Sequence, residues 1–214
     1  MSTTRTRRSR RTVAVLAVCL VALTGCSTLK AGSAATVDQT QLSQADVADL
    51  VAEVDTTVAD AELESAVPAN QVPLQIVGLW VDAQLTKALA NAEDVSVTQG
   101  ELDTYLERWD EEARAQIVAE NAVPDSLLDG AVETFLLKED LATQLAPDGT
   151  PEEQAQALGE ALAATADEVG ISVNPRYGSW DESIPGVVPR SEDRLSSLDA
   201  PAEEVIDPNV PPAQ

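Results

Sequence analysis

Asp110-Glu111-Glu112 and Asp148-Gly149-Thr150 are the places in this sequence where side-chain oxygens crowd closely enough to suggest chemistry. A pair of carboxylates is what a glycosidase needs, one protonated as general acid and one ionised as base or nucleophile. The triplet 110–112, however, falls on the solvent side of a helical pattern, as a charged face does. Asp148-Gly149-Thr150 lacks the alternating ligands of a calcium loop and reads as the turn before a capped helix. The 214 residues include no histidine. That removes the commonest general base, most zinc sites and the usual Ser-His and Cys-His nucleophile arrangements. No Gly-x-Ser-x-Gly, no Ser-x-x-Lys with its partner motifs and no phosphate-cradling glycine loop is present. The residues predict no catalytic group, no metal and no cofactor, and hence no enzyme.

Definite chemistry is concentrated instead at Cys26. Arg5, Arg7, Arg8, Arg10 and Arg11 form a basic start without an acidic residue, and the apolar run "TVAVLAVCLVAL" (12–23) follows. That run is too short to span a bilayer, which takes roughly 20 residues, so residues 1–25 read as a signal peptide. Leu23-Thr24-Gly25-Cys26 resembles the bacterial lipobox, in which the chain is cut before a cysteine whose sulfur carries diacylglycerol. Cys26 is accordingly the expected lipidation site, and the extracytoplasmic face of the cell membrane the expected location. "SRRTVAV" (9–15) half-matches the twin-arginine export pattern, with Val13 where phenylalanine is preferred, so both export routes stay open.

Processing at that point changes the charge and the cysteine arithmetic. The chain has a formal charge of −24; loss of five arginines from 13 basic residues leaves 8 against 37 acidic ones, or −29. Such a surface is repelled by nucleic acid and by anionic lipid, so the lipid itself is the expected membrane contact. Cys19 lies within the signal, leaving a single acylated thiol and no intramolecular disulfide. The domain must be held by an ordinary hydrophobic core, which about 190 residues suffice to build.

The elements that would make that core follow from periodicity and caps. After a small polar tether (26–34), "ATVDQTQL" (35–42) predicts a strand. "SQADVADLVAEV" (43–54) starts with Ser-x-x-Asp and predicts a helix. Residues 72–92 are apolar on most faces, the pattern of a central buried helix. Residues 95–120 repeat the earlier order: a β-branched run at 95–97, then Thr98-x-x-Glu101, then Leu102, Tyr105, Leu106 and Trp109 on one stripe. The two segments share capping chemistry or a weak duplication; the capping explanation is preferred. Leu128, Val132, Phe135 and Leu136 predict one face of a helix over 126–145. Thr150, Pro151, Glu153 and Gly170 mark both ends of another, striped by Ala155, Leu158, Leu162, Ala166 and Val169. "ISV" (171–173) predicts a strand pairing with Ala35–Val37. Beyond Asp181 the composition is acidic and proline-rich, predicting a disordered tail over 182–214.

Only six aromatic residues serve the whole chain, and two of them, Tyr177 and Trp180, lie in "VNPRYGSWD" (173–181). Asn174-Pro175-Arg176-Tyr177-Gly178 is expected to be a structural closing motif: Pro175 ends strand pairing, Tyr177 and Trp180 fold back over the helices, and Arg176 grips a carboxylate. The alternative is a binding site.

The order of elements resembles the helical chaperone module of SurA-type and PrsA-type extracytoplasmic foldases, as found in actinobacterial lipoproteins. "ATVDQTQLSQADVADLV", "VSVTQGELDTYL" and "ADEVGISVNPRYGSWD" carry the likeness, which covers roughly residues 34–181; Asn-Pro-Arg-Tyr-Gly is its specific part. Two departures matter. The opening turn reads Val37-Asp38-Gln39 in place of Val-Asn-Gly. Only "APDGTPEE" (146–153) stands where isomerase-active members insert a parvulin domain, so no prolyl isomerase activity is expected. The resemblance implies a mostly α, multi-helix domain over 35–181, with a few short strands joining the chain's two ends. It also implies a groove for unfolded or secreted polypeptides, for which Trp80, Tyr105, Trp109 and Phe135 are the candidate lining. The rival reading is an assembly lipoprotein with one fixed partner. No oligomeric state is read from the sequence.

Overall fold

The structure, a computed structural model, describes residues 31–190. The signal peptide (1–25), Cys26, most of the tether and residues 191–214 lie outside the described residues. The described chain is mostly helical, with a few short strands.

It opens with a hairpin, β1 (Ser33–Val37) and β2 (Thr40–Ser43), paired antiparallel with Val37 opposite Thr40. Asp38 occupies the left-handed region at φ 52°, which aspartate tolerates better than most residues. The missing glycine therefore does not prevent a two-residue turn. Helix α1 (Gln44–Asp60) follows at once. Its Ser43–Asp46 box is complete, Ser43 Oγ accepting from Asp46 N and the Asp46 carboxylate accepting from Ser43 N, both at 3.0 Å. α2 (Val72–Ala92) is the central element, packed against α1, β1 and the later helices.

The next segment departs from expectation. No strand forms at 95–97; Val95 and Val97 instead pack as partly buried side chains beside Leu89 and Leu162. The single helical stripe predicted for 98–120 is two helices, α3 (Gln99–Leu106) and α4 (Glu111–Asn121). Asp110 separates them: its carboxylate accepts from Ala113 N at 2.9 Å, so it is spent as an N-cap. α4 ends at Ala122 in the left-handed conformation.

α5 (Asp125–Leu145) and α6 (Pro151–Val169) complete the helices. On α5 the buried positions are Leu128, Val132, Thr134, Leu137 and Leu141, so the core face is rotated from the predicted one and Phe135 points outward. α6 has its full Thr150–Glu153 box, Pro151 in the first turn and Gly170 at its end with φ 68°.

β3 (Ile171–Val173) then returns antiparallel to β1, with Val37 opposite Ile171 and Ala35 opposite Val173, giving the sheet order β2-β1-β3. The expected pairing of the two ends is present. β4 (Ser179–Asp181) follows, but the chain does not lose structure after Asp181. It forms β5 (Gly186–Val188), a second hairpin strand that lies on α2. The start of the predicted tail at 182 is therefore corrected: this hairpin is ordered structure, and the remainder of the predicted tail from 191 lies outside the described residues. Val187 is the reason: of the three β-branched residues in this segment, Ile184, Val187 and Val188, it is the one packed against the sheet-side cluster.

Three apolar clusters hold these elements. Ala35, Val37, Leu42, Val47, Val77, Val81 and Tyr177 join the sheet to α1 and α2. Leu85, Leu89, Leu137, Leu141, Leu162 and Ala166 join α2, α5 and α6. Val54, Val72, Ile76 and Val118 join α1, α2 and α4. Full burial of such side chains contributes about 1.5–3 kcal/mol each relative to exposure. Ion pairs Lys138–Asp82 at 2.6 Å and Lys87–Glu133 at 2.8 Å link α5 to α2 across partly exposed surface, where they add little.

Candidate functional site

The break between α3 and α4 creates the most distinctive surface of the molecule. α3 is only eight residues long and is started by Thr98, whose hydroxyl accepts from Glu101 N. It places Tyr105 in its last turn. Trp109 follows in the turn closed by a Trp109 N–H bond to the Leu106 carbonyl at 3.0 Å. The two rings meet edge to face, with centroids 5.5 Å apart and planes at 88°, a favoured arrangement of ring quadrupoles. α5 brings Phe135 to 5.7 Å from Tyr105.

These three rings rim an open cavity of about 280 Å³, floored by Ile117, Leu128 and Val132 and bounded by Asn121 and Val123. No charged residue lines it. Phe135 is 45% exposed, which is unusual for the chain's single phenylalanine. The Arg108 guanidinium stands 5.0 Å over the Tyr105 ring, a cation–π contact at the rim. Asn121 and Val123 also line a neighbouring cavity of about 440 Å³, formed by Leu74, Gly78 and Leu79 of α2 with Val187 and Pro189. The two cavities meet at the α4–α5 link.

Of the four aromatic residues expected to line a groove, Tyr105, Trp109 and Phe135 come together. Trp80 does not: it packs, partly buried, in the sheet-side cluster with Val47 and Tyr177. Ile117, Val123 and Pro189 line the cavities without having been singled out in the sequence. They are dispersed over α4, the α4–α5 link and the chain after β5, so no local periodicity connects them.

The Asn174–Gly178 motif is tied to the sheet. Asn174 N donates to the Ala34 carbonyl at 2.8 Å and its Nδ2 to the Ser33 carbonyl at 3.0 Å, while its own Oδ1 accepts from Arg176 N. Asn174 thus ties the strand after α6 to the first strand. Tyr177 is buried against the sheet-side cluster, and Trp180 bridges it and the cluster below. Gly178 has φ 135°, and a Cβ there would fall 2.7 Å from the Val188 carbonyl oxygen and 2.8 Å from Leu74 Cδ1. Arg176 departs from expectation. Among the described residues it forms no ion pair, and its guanidinium lies 5.8 Å from the neighbouring Tyr177 ring. Arg114 is the residue that collects carboxylates, holding Asp125 at 3.0 Å and Asp129 at 3.1 Å between α4 and α5. Partial burial opposes its charge, but the two aspartates outweigh that and raise its pKa above the ordinary value.

Among the described residues no cluster of three metal-ligating side chains occurs, and no helix is long and apolar enough to cross a membrane. No protein-family model matches the chain, no curated protein matches it in sequence, and no solved structure matches its fold.

Proposed function

We propose that this chain is a non-catalytic, chaperone-like binder of extended polypeptide, related in architecture to the SurA- and PrsA-type module and held at the outer face of the cell membrane by lipid on Cys26. The observation that carries the reading is Phe135, exposed beside Tyr105 and Trp109 over an uncharged cavity on an otherwise strongly acidic molecule. An apolar patch left open in this way loses free energy to water, and a client side chain that fills it recovers about 25 cal/mol per Å² covered. One small cavity gives weak, reversible capture, which suits a protein that must release its client. The strong negative charge keeps the complex soluble. The hairpin-helix opening and the strand that returns to it agree with the resemblance.

The test is suppression of aggregation of several unrelated denatured proteins at near-stoichiometric amounts. Phe135→Ser should abolish suppression while changing stability by no more than about 1 kcal/mol, because the ring is already half in water. Suppression that survives Phe135→Ser would overturn the assignment of the site. Co-purification of one partner, with no effect on other denatured proteins, would favour an assembly lipoprotein.

A further inference from the structure

Pro189 lines the cavity next to Phe135, and 24 residues (191–214) follow Arg190. The chain therefore leaves its described part at a cavity that adjoins the groove proposed to bind clients. Apart from Leu195 and Leu198, their large apolar residues are gathered in Val205-Ile206-Asp207-Pro208-Asn209-Val210-Pro211-Pro212, which holds three β-branched aliphatic side chains and three prolines in eight positions.

We propose that residues 205–212 dock in the Tyr105–Trp109–Phe135 groove as an internal client, and that an external polypeptide must displace them; this rests on the polypeptide-binding reading above. The chemistry of the two partners corresponds. Proline-rich segments are already extended, so they lose little entropy on docking, and aromatic-lined grooves are their usual receptors. Charge selects the same place. Glu203 and Glu204 precede the segment and Asp207 lies within it; all three are repelled by the acidic surface at large. The groove carries no charge, and Arg108 at its rim makes no ion pair among the described residues.

The tether has sufficient reach. Fourteen residues (191–204) precede the segment, a length that as a random coil spans about 20 Å root-mean-square, and the cavity holding Pro189 adjoins the aromatic one through Asn121 and Val123. A segment tethered so closely has an effective concentration on the order of millimolar. If the isolated segment binds with a Kd of about 0.1 mM, the groove is filled most of the time and external clients bind about tenfold more weakly.

The experiment uses the full chain in detergent micelles with photoreactive benzoylphenylalanine at position 135. Irradiation and trypsin cleavage after Arg194 should yield position 135 joined to the peptide 195–214, in a proportion unchanged by tenfold dilution. Val205→Asp with Ile206→Asp, both outside the described residues, should remove that product. In the chain with native Phe135, the same two substitutions should tighten binding of reduced, carboxymethylated α-lactalbumin about tenfold. Absence of the 195–214 product, its loss on dilution (a second copy being the occupant), or unchanged probe affinity would each overturn the proposal. A dilution-independent product with no probe binding by either form would leave the tail contact standing and remove the client-binding reading.

Discussion

Gly178 shows how far one residue can be constrained by its surroundings. Its φ of 135° lies where side chains are strained, and a Cβ would strike backbone at 2.7 Å, with Leu74 and Val187 side chains closing the remaining space at 2.8 and 3.0 Å. The leucine tip can rotate; the Val188 carbonyl cannot move without breaking the β4–β5 ladder. Gly178→Ala should therefore destabilise the protein by about 2–4 kcal/mol, from strain and overpacking together. Thermal unfolding checks this, and a melting temperature within a degree of the parent would show that the hairpin yields cheaply. The contrast with Phe135 is instructive. Position 178 is small because packing forbids anything larger, whereas position 135 carries a large ring that is 45% exposed and meets Tyr105 on one side.

Among the elements, α1 depends on its start. Ser43 and Asp46 satisfy each other's backbone N–H groups, and hydrogen bonds from the Ser43 side chain and backbone hold the Asp46 carboxyl below its ordinary pKa. A depressed folded pKa means a contribution fully present above the ordinary carboxylate value and lost as pH falls through the folded one. Ser43→Ala should cost about 1 kcal/mol at neutral pH. It should also flatten the acid limb of stability, since Asp46 would titrate with less difference between folded and unfolded chain. Denaturant melts from neutral pH into the acid range test both effects; an unchanged acid limb would mean that other carboxylates dominate. Caps of this kind were legible in the sequence because all partners lie within four residues, and the same held for Thr98–Glu101 and Thr150–Glu153. The start of α5 was legible to within one residue, but the group that satisfies it was not. Glu53, on α1, accepts from Ser126 N at 2.6 Å and Ser126 Oγ at 2.7 Å, a cap supplied from 73 residues away. The rotation of α5 has the same origin: its apolar residues cover more than one face, and α2 and α6 decide which is buried. Asp110 reads in the sequence as a surface acid, and only the break between α3 and α4 makes it a cap. The groove was half legible for that reason, since rings on α3 and α5 meet only because the chain breaks between α3 and α4.

For the molecule as a whole, the question is how much of its stability comes from joining its ends. β3 closes the sheet on β1, Asn174 bonds to Ser33 and Ala34, Tyr177 and Trp180 cover two apolar clusters, and β5 lays Val187 against α2. These contacts lie in three successive steps along the chain, so shortening it should remove them in order. A protein ending at Arg190 keeps all of them and should melt close to the full chain. One ending at Asp181 loses β5 and the burial of Val187, at a cost of about 1–3 kcal/mol. One ending at Gly170 also loses β3 and both aromatic covers, a loss of several kcal/mol from a margin that for a typical domain is only about 5–15 kcal/mol. Calorimetry of the three should give that ranking, with the shortest form melting broadly or not cooperatively at all. If the protein ending at Gly170 unfolded as sharply and at the same temperature as the full chain, the residues from 171 to 190 would contribute no net stability, and "VNPRYGSWD" would have to be explained by what it binds.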